Sequence, residues 1–253
     1  MQRVLSKPIS VSFVSTYPPR RCGIGTFTQD LANHIARIQK EESHIGEMAQ
    51  VVALINNISQ GHSYAREICF EIRTEHRRDY QEAASFLNLS SVDVISLQHE
   101  FGIFGGKDGA YILDLLANSR KPVVSTLHTV LKEPTKGQLE VLKSLSSYSK
   151  FVVVQAQKAI ELLVNVYDVP REKIVRIHHG TPDVLFLDSN DYKDRFQAKG
   201  RQVILTFGLL GPKKGIEIVI EAIALIVQEF PDLLYIILGA CLLYTSPSPR
   251  DRS

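Results

Sequence analysis

The sequence contains no tryptophan, only two methionines and only three cysteines. None of its apolar runs approaches the ~18 residues that a membrane span needs, so no segment is expected to cross a bilayer. Cys22, Cys69 and Cys241 leave an odd thiol, match no metal-ligand spacing and suit a reducing compartment. Behind Met1 there is no charged region, apolar region and small-residue cleavage site in succession, so no secretory signal is expected and the cytoplasm is the expected location. Charge of one sign is also missing. The 29 Lys and Arg against 27 Asp and Glu leave a formal +2, too little to argue for a nucleic-acid face. Neither a P-loop nor a G-x-G-x-x-G turn occurs.

What is present is ordinary globular composition, with 44% hydrophobic, 22% charged and 8% aromatic residues. At ~100–200 residues per domain, 253 residues make one large domain or one and a fraction. Short Val- and Ile-rich runs predict strands at 9–15, 50–55, 67–72, 93–97, 122–127, 151–154 and 174–177. Most lack apolar/polar alternation, which suits strands covered on both faces of a parallel sheet. Helix-length segments alternate with them at 24–39, 78–88, 108–118, 135–147 and 156–166. In the last of these Ala156, Ala159, Ile160, Leu163 and Val164 recur at spacings of three and four, as one buried stripe would. The pattern predicts a doubly wound, mostly parallel, Rossmann-like α/β sheet with ligands at the carboxyl ends of its strands.

Residues 188–200, DSNDYKDRFQAKG, are polar and charged with no apolar period. The stretch 189–200 reads as a linker between a first domain over 1–188 and a second unit over 201–240. That unit opens with a strand at 203–207, a loop GLLGPKKG, a helix at 216–229 and a strand at 233–238, a partial Rossmann-like βαβ unit. The final CLLYTSPSPRDRS, 241–253, does not continue it. It resembles the in-frame translation of a sequencing-library adapter and is expected to be non-native, a natural Ser-, Pro- and Arg-rich tail being the alternative.

Candidate chemistry gathers at the strand ends. The first strand runs into STYPPRRCGIGTF, where Gly23 and Gly25 allow a tight turn into a helix and Arg20 and Arg21 add positive charge. Backbone N–H groups at such a turn can approach an anionic ligand, although a plain turn explains the residues equally well. The fourth strand ends in His99 and Glu100, followed by a loop that Gly102, Gly105 and Gly106 are expected to make flexible. The fifth ends in His128 and Thr129, so His99 and His128 are expected to face one cleft, where imidazole can bond a hydroxyl or phosphate. No carboxylate or Cys pattern completes a metal site. His178 and His179, in HHGTPD, read as structural. Lys213 and Lys214 stand before a helix N-terminus among Gly208, Gly211 and Gly215, a sound diphosphate site. Glu221 and Glu229 are both expected on the helix 216–229, and their glycosyltransferase-like spacing there is coincidence.

In order and spacing, STYPPRRCGIGTF, LQHEFGIFGG, STLHT, HHGTPD and FGLLGPKKGIE resemble the retaining family 4 (group 1) glycosyltransferases of the GT-B fold, over roughly residues 8–240. The resemblance implies an N-terminal acceptor-side domain, the beginning of a nucleotide-sugar-binding domain, and a parent enzyme that transfers a hexose with retention. It makes His128 the active-site histidine. It puts Gly23, Gly25, Lys213 and Lys214 at the donor phosphates, and Arg20, His99, Glu100 and Thr129 on the acceptor side. The implied partners are a nucleotide sugar and a carbohydrate or glycolipid acceptor, which leaves room for peripheral membrane contact; no cofactor or metal is implied. Leu209 stands where the family often has a phosphate-clamping arginine, and the family's two-glutamate donor motif lies beyond this chain. The fragment by itself is therefore expected to be inactive. A non-catalytic sugar- or phosphate-binding module is the alternative, and a nicotinamide-dependent Rossmann enzyme a weaker one, since the first turn lacks its glycine fingerprint.

Overall fold

The computed structural model describes residues 9–20, 22–43, 50–56, 66–208, 210–211 and 214–239. Lys213, Arg21 and Leu209, and the 241–253 tail read as non-native, lie outside the described residues. The chain falls into two compact units, Met1–Gly180 and Thr181–Ser253, a boundary ahead of the one read at 188.

The first unit runs β1 (Val11–Ser15), α1 (Gly23–Ser43), β2 (Gln50–Ile55), β3 (Ile68–Arg73), α2 (Arg77–Leu89), β4 (Val94–His99), α3 (Ile112–Asn118), β5 (Val123–Leu127), α4 (Lys136–Tyr148), β6 (Phe151–Val154), α5 (Gln157–Asn165) and β7 (Ile174–Arg176). Its seven strands pair throughout in parallel, in the order β3-β2-β1-β4-β5-β6-β7. This is the doubly wound Rossmann-like sheet that the apolar runs predict. β2 shows why those runs are legible: Val51 through Ile55 are all buried, so both faces of the strand demand apolar side chains. The order reverses between β1 and β4, which makes the carboxyl ends of these strands the switch point of the sheet.

One face is covered by α2, α3, α4 and α5, whose Tyr80, Leu87, Leu115, Leu142, Leu145, Ile160 and Leu163 join Ile95, Leu97 and Val152 in one core. The other carries α1, which lays Ala32, Leu31 and Ile35 on Phe13, Val51 and Ala53. Burying each large side chain contributes about 1.5–3 kcal/mol, so the first cluster supplies most of the cohesion. The stripe foreseen along α5 is narrower than its spacing implies. Ile160 and Leu163 are buried, but Ala156 precedes the helix and is exposed, as is Val164.

The loop after β4 is tightly packed, where slack was expected from its glycines. A Cβ on Gly105 would stand 1.9 Å from the Thr74 carbonyl oxygen, and one on Gly106, at φ +79°, would enter the Tyr111 ring at 2.6 Å. The Tyr80 hydroxyl donates to the Thr74 carbonyl and accepts the Gly105 N–H, both at 2.9 Å. The helix expected from 108 begins only at Ile112. Asp108 and Gly109 have φ of +56° and +78°, which no α-helix accommodates. α4, by contrast, opens on a reciprocal cap between Thr135 and Gln138.

In the second unit α6 (Ser189–Lys193) forms inside the stretch read as a linker. Asp188 caps it by accepting the Asn190 N–H, so local capping succeeds where an apolar period is missing. β8 (Gln202–Phe207), α7 (Ile216–Ile226) and β9 (Leu233–Leu238) then make a βαβ unit, β8 and β9 pairing in parallel along their whole lengths. α7 ends before Glu229, which lies in the following turn, so Glu221 and Glu229 do not share the helix expected to carry both. α7 carries Glu217 and Glu221 one turn apart and is otherwise apolar, and Ile218 and Leu225 stay 66% and 83% exposed, with Phe207 of β8 at 80%.

The packing of the β4–α3 loop makes a specific demand. Gly105→Ala is expected to lower stability by about 2–3 kcal/mol through overpacking against backbone, whereas Gly102→Ala, with nothing within 4 Å of the new methyl, stays within about 0.5 kcal/mol. Urea denaturation of both variants measures the contrast; equal losses would refute it.

Candidate functional site

The switch point brings three chain segments together: the exit of β1 into α1, the end of β4 and the end of β5. Beyond β1 the chain passes Thr16, Tyr17 and a cis Pro18–Pro19 bond before Gly23 opens α1. The first turn of α1 packs against the strand end at Gly25, where a Cβ would stand 3.4 Å from the Tyr17 backbone, in van der Waals contact. The Thr28 hydroxyl bonds Ser15 at 2.8 Å and fastens the helix to β1. The leading N–H groups of α1, at Gly23 and Gly25 among them, precede any acceptor inside the helix and carry its positive dipole end. Arg20, half-buried beside Cys22 and Tyr80, has a fully enclosed Nη1 without a hydrogen-bond partner, and burial pulls its pKa below the ordinary value.

Pairing of β4 with β5 continues one residue past the strand, where the His128 N–H donates to the His99 carbonyl at 3.0 Å. Successive residues then point to opposite faces of the sheet. Gln98 and His128 share the face of α1; His99 turns to the other. The two histidines therefore do not face one cleft. The His99 ring is 0% exposed, set edge-on to Phe101 (centroids 5.0 Å apart) and stacked on Phe104 (5.7 Å). Neither of its ring nitrogens has a hydrogen-bond partner. Burial first, and the neighbouring His128 second, push its pKa down to about 3.

His128 is half-buried, and its Nε2 lies 3.0 Å from Gln98 Oε1. Phe27 of α1 meets its ring edge-on at 4.9 Å and meets His179, past β7, at 5.1 Å. Burial, and then the nearby His179, lower the His128 pKa to about 4. Next to it Glu100 is fully engaged. One carboxylate oxygen accepts the Phe101 N–H at 3.0 Å and the other accepts a short bond from the Thr129 hydroxyl. The ends of β4 and β5 thus present a neutral imidazole beside a fixed carboxylate–hydroxyl pair.

Of the residues singled out in the sequence, Gly23, Gly25, Arg20, Glu100, His128 and Thr129 lie at the carboxyl edge of the first unit, and His99 lies beneath it. Lys214 belongs to the second unit and is exposed, its N–H bonded to the Gly211 carbonyl at 3.3 Å. Gly215, in the left-handed region at φ +69°, leads directly into α7. Sequence reasoning missed Gln98, Phe27 and Tyr80; His179, read as structural, packs on Phe27. The available signal for Gln98 was an amide closing an otherwise apolar strand, two residues before the glutamate. Among the described residues no group of three or more His, Cys, Asp or Glu could hold a metal ion, and no helix is long and apolar enough to cross a membrane.

No protein-family model and no curated protein matches the chain. Its fold is nevertheless similar to solved glycosyltransferases. A glycosyltransferase from Rickettsia africae ESF-5 aligns at TM-score 0.59 and 10% identity, over 91% of this chain and 69% of its own length. An alpha-glucosyltransferase in complex with UDP and a 13-mer DNA containing a central A:G mismatch aligns at 0.57 and 10%, over 94% of this chain and 57% of its own. Another alpha-glucosyltransferase structure, with UDP and a 13-mer DNA containing an HMU base, aligns at 0.54 and 12%, over 92% and 68%. At such identities the likeness shows the fold, and this chain spans between 57% and 69% of those structures.

The two depressed histidines fix a direction for pH dependence. Below the ordinary value of 6.5 the unfolded chain binds protons at both rings that the folded unit refuses until about 4 and about 3. Their contribution to stability is complete above pH 6.5 and is lost as the pH falls through that window. The urea midpoint is therefore expected to drop between pH 7 and 4.5, and His99→Leu to flatten the slope. An unchanged slope in that variant would assign the dependence to other groups.

Proposed function

We propose that the chain carries the acceptor-side domain, and the opening of the nucleotide-sugar domain, of a retaining family 4 glycosyltransferase that transfers a hexose to a carbohydrate or glycolipid acceptor. The observation that carries this reading is the neutral His128 imidazole, held at the switch point of the sheet together with the N-terminus of a 21-residue helix. An uncharged, hydrogen-bonding ring suits a hydroxyl-rich sugar, and a helix N-terminus suits the diphosphate attached to it. The likeness in fold to glycosyltransferases supports the reading, as do the UDP and UDP-glucose named with the alpha-glucosyltransferase structures.

In this reading His128 contacts the transferred sugar. As the bond from the sugar to the diphosphate breaks, negative charge grows on the leaving group. The free amides near Gly23 and Gly25 and the dipole of the helix they open offset it, and Lys213 and Lys214 are proposed as further donor-phosphate contacts. Glu100, Thr129 and Arg20 border the acceptor, with His99 packed below them. In this reading lysine side chains and helix dipoles take the charge that a metal would otherwise carry. The enzyme is expected to work in the cytoplasm, reaching a glycolipid acceptor by peripheral contact.

The second unit fits the beginning of a larger domain. A two-stranded sheet is marginal alone, and a helix that is apolar apart from one glutamate pair, yet buries none of its residues here, normally packs inside a completed α/β layer. The activity is accordingly proposed for the product of the whole gene. That product, supplied with UDP- and GDP-hexoses and a mixed glycan and glycolipid acceptor pool, is expected to release nucleoside diphosphate. His128→Ala should lower kcat/KM about 10- to 100-fold, as loss of a buried hydrogen-bonding partner does. Residues 1–253 alone should turn over no donor, since a marginal two-stranded unit cannot hold the donor in a fixed geometry. Failure of every nucleotide sugar to react with the whole product would overturn the proposal.

A further inference from the structure

The side chain under His128 determines what the imidazole can bind. Gln98 is 0% exposed, so water cannot satisfy its amide and both ends need protein partners. Its Nε2 donates to Ser96 Oγ at 3.2 Å, which leaves Oε1 facing His128 Nε2 at 3.0 Å. With the amide in this orientation its oxygen accepts, so the ring nitrogen opposite carries the hydrogen. Nδ1 is then left with its lone pair, and no described residue hydrogen-bonds to it. Phe27 and His179 complete the surroundings of the ring. Phe27 offers only its ring edge, and the Nδ1 of His179 is engaged with the Gly180 carbonyl at 2.6 Å.

We infer that Gln98 is a positioning residue that locks His128 in the Nε2–H tautomer, so that the site takes a ligand group able to donate a hydrogen bond, such as a sugar hydroxyl, in preference to a phosphate oxygen. The inference about the ligand rests on the reading of His128 as a sugar contact; the tautomer does not depend on it. The low pKa of the ring agrees, since a charged imidazole would donate from both nitrogens and favour an anion. Ser96, Gln98 and His128 thus form a short chain with a fixed direction. Ser96 holds the amide, the amide orients the ring, and the ring offers a lone pair.

The tautomer can be read without any activity. Long-range proton–nitrogen correlation on the histidine-labelled chain at pH 7, with the His128 signals assigned by their loss in His128→Ala, is expected to show protonated Nε2 and bare Nδ1. Gln98→Met keeps length and volume but removes the acceptor, and should give a mixture of tautomers. Gln98→Glu keeps an acceptor and adds charge, so it should preserve Nε2–H and raise the His128 pKa by at least one unit. A wild-type ring protonated on Nδ1, or a tautomer unaltered by Gln98→Met, overturns the inference. In the whole gene product, Gln98→Met should lower kcat/KM for the donor about tenfold, with Gln98→Glu recovering part of it near neutral pH. Unaltered turnover in His128→Ala, with the tautomer as expected, would instead overturn the functional reading and leave the tautomer assignment standing.

Discussion

The hydrogen bond from the His128 amide to the His99 carbonyl organises the candidate site. It carries the β4–β5 ladder one residue beyond regular strand and so extends the pleat into the loops. Everything near it is sorted by that parity. Gln98 and His128 rise on one face, where they hydrogen-bond and meet Phe27. His99 descends on the other, between Phe101 and Phe104. One backbone bond joins a half-buried ring at the edge of the sheet to one sealed in the core, though the two histidines stand at neighbouring strand ends.

Beneath this edge the packing is unusually inflexible. Tyr80 joins the end of β3 to the loop after β4, donating to Thr74 and accepting from Gly105. Its burial pushes the phenol pKa up to about 12, so it remains a neutral donor throughout the physiological range. Gly105 and Gly106 fit against the Thr74 carbonyl and the Tyr111 ring with no room for a side chain. Glu100 spends both oxygens holding the next turn and Thr129. A polar loop at a strand end is often mobile, but here Tyr80, Glu100 and Thr129 each fix a neighbour. Arg20 Nη1, Asp108 Oδ2 and both ring nitrogens of His99 are enclosed without a hydrogen-bond partner.

The strand runs of the sequence transfer to the structure almost unaltered because parallel strands need apolar residues on both faces, and β2 and β6 show the effect plainly. Helix ends transfer less well, since they depend on single backbone conformations. Positive φ at Asp108 and Gly109 delays α3, and Asp188 caps a helix that no apolar period announces. The site was legible as residue types at strand ends, which is how Glu100, His128 and Thr129 were found. Which face each residue takes was not legible, because it turns on where the ladder stops. Gln98 escaped notice for a related reason. An amide in an apolar strand has meaning only once the ring it orients is known.

Phe27 touches both His128 and His179, and these aromatic contacts join the first helix of the unit to the segment that leaves its last strand. Both contacts are long-range in sequence, and the one with His128 needs β1, β4 and β5 side by side. The ring current of Phe27 on the His128 protons would therefore report the docking of α1 over the ends of β4 and β5.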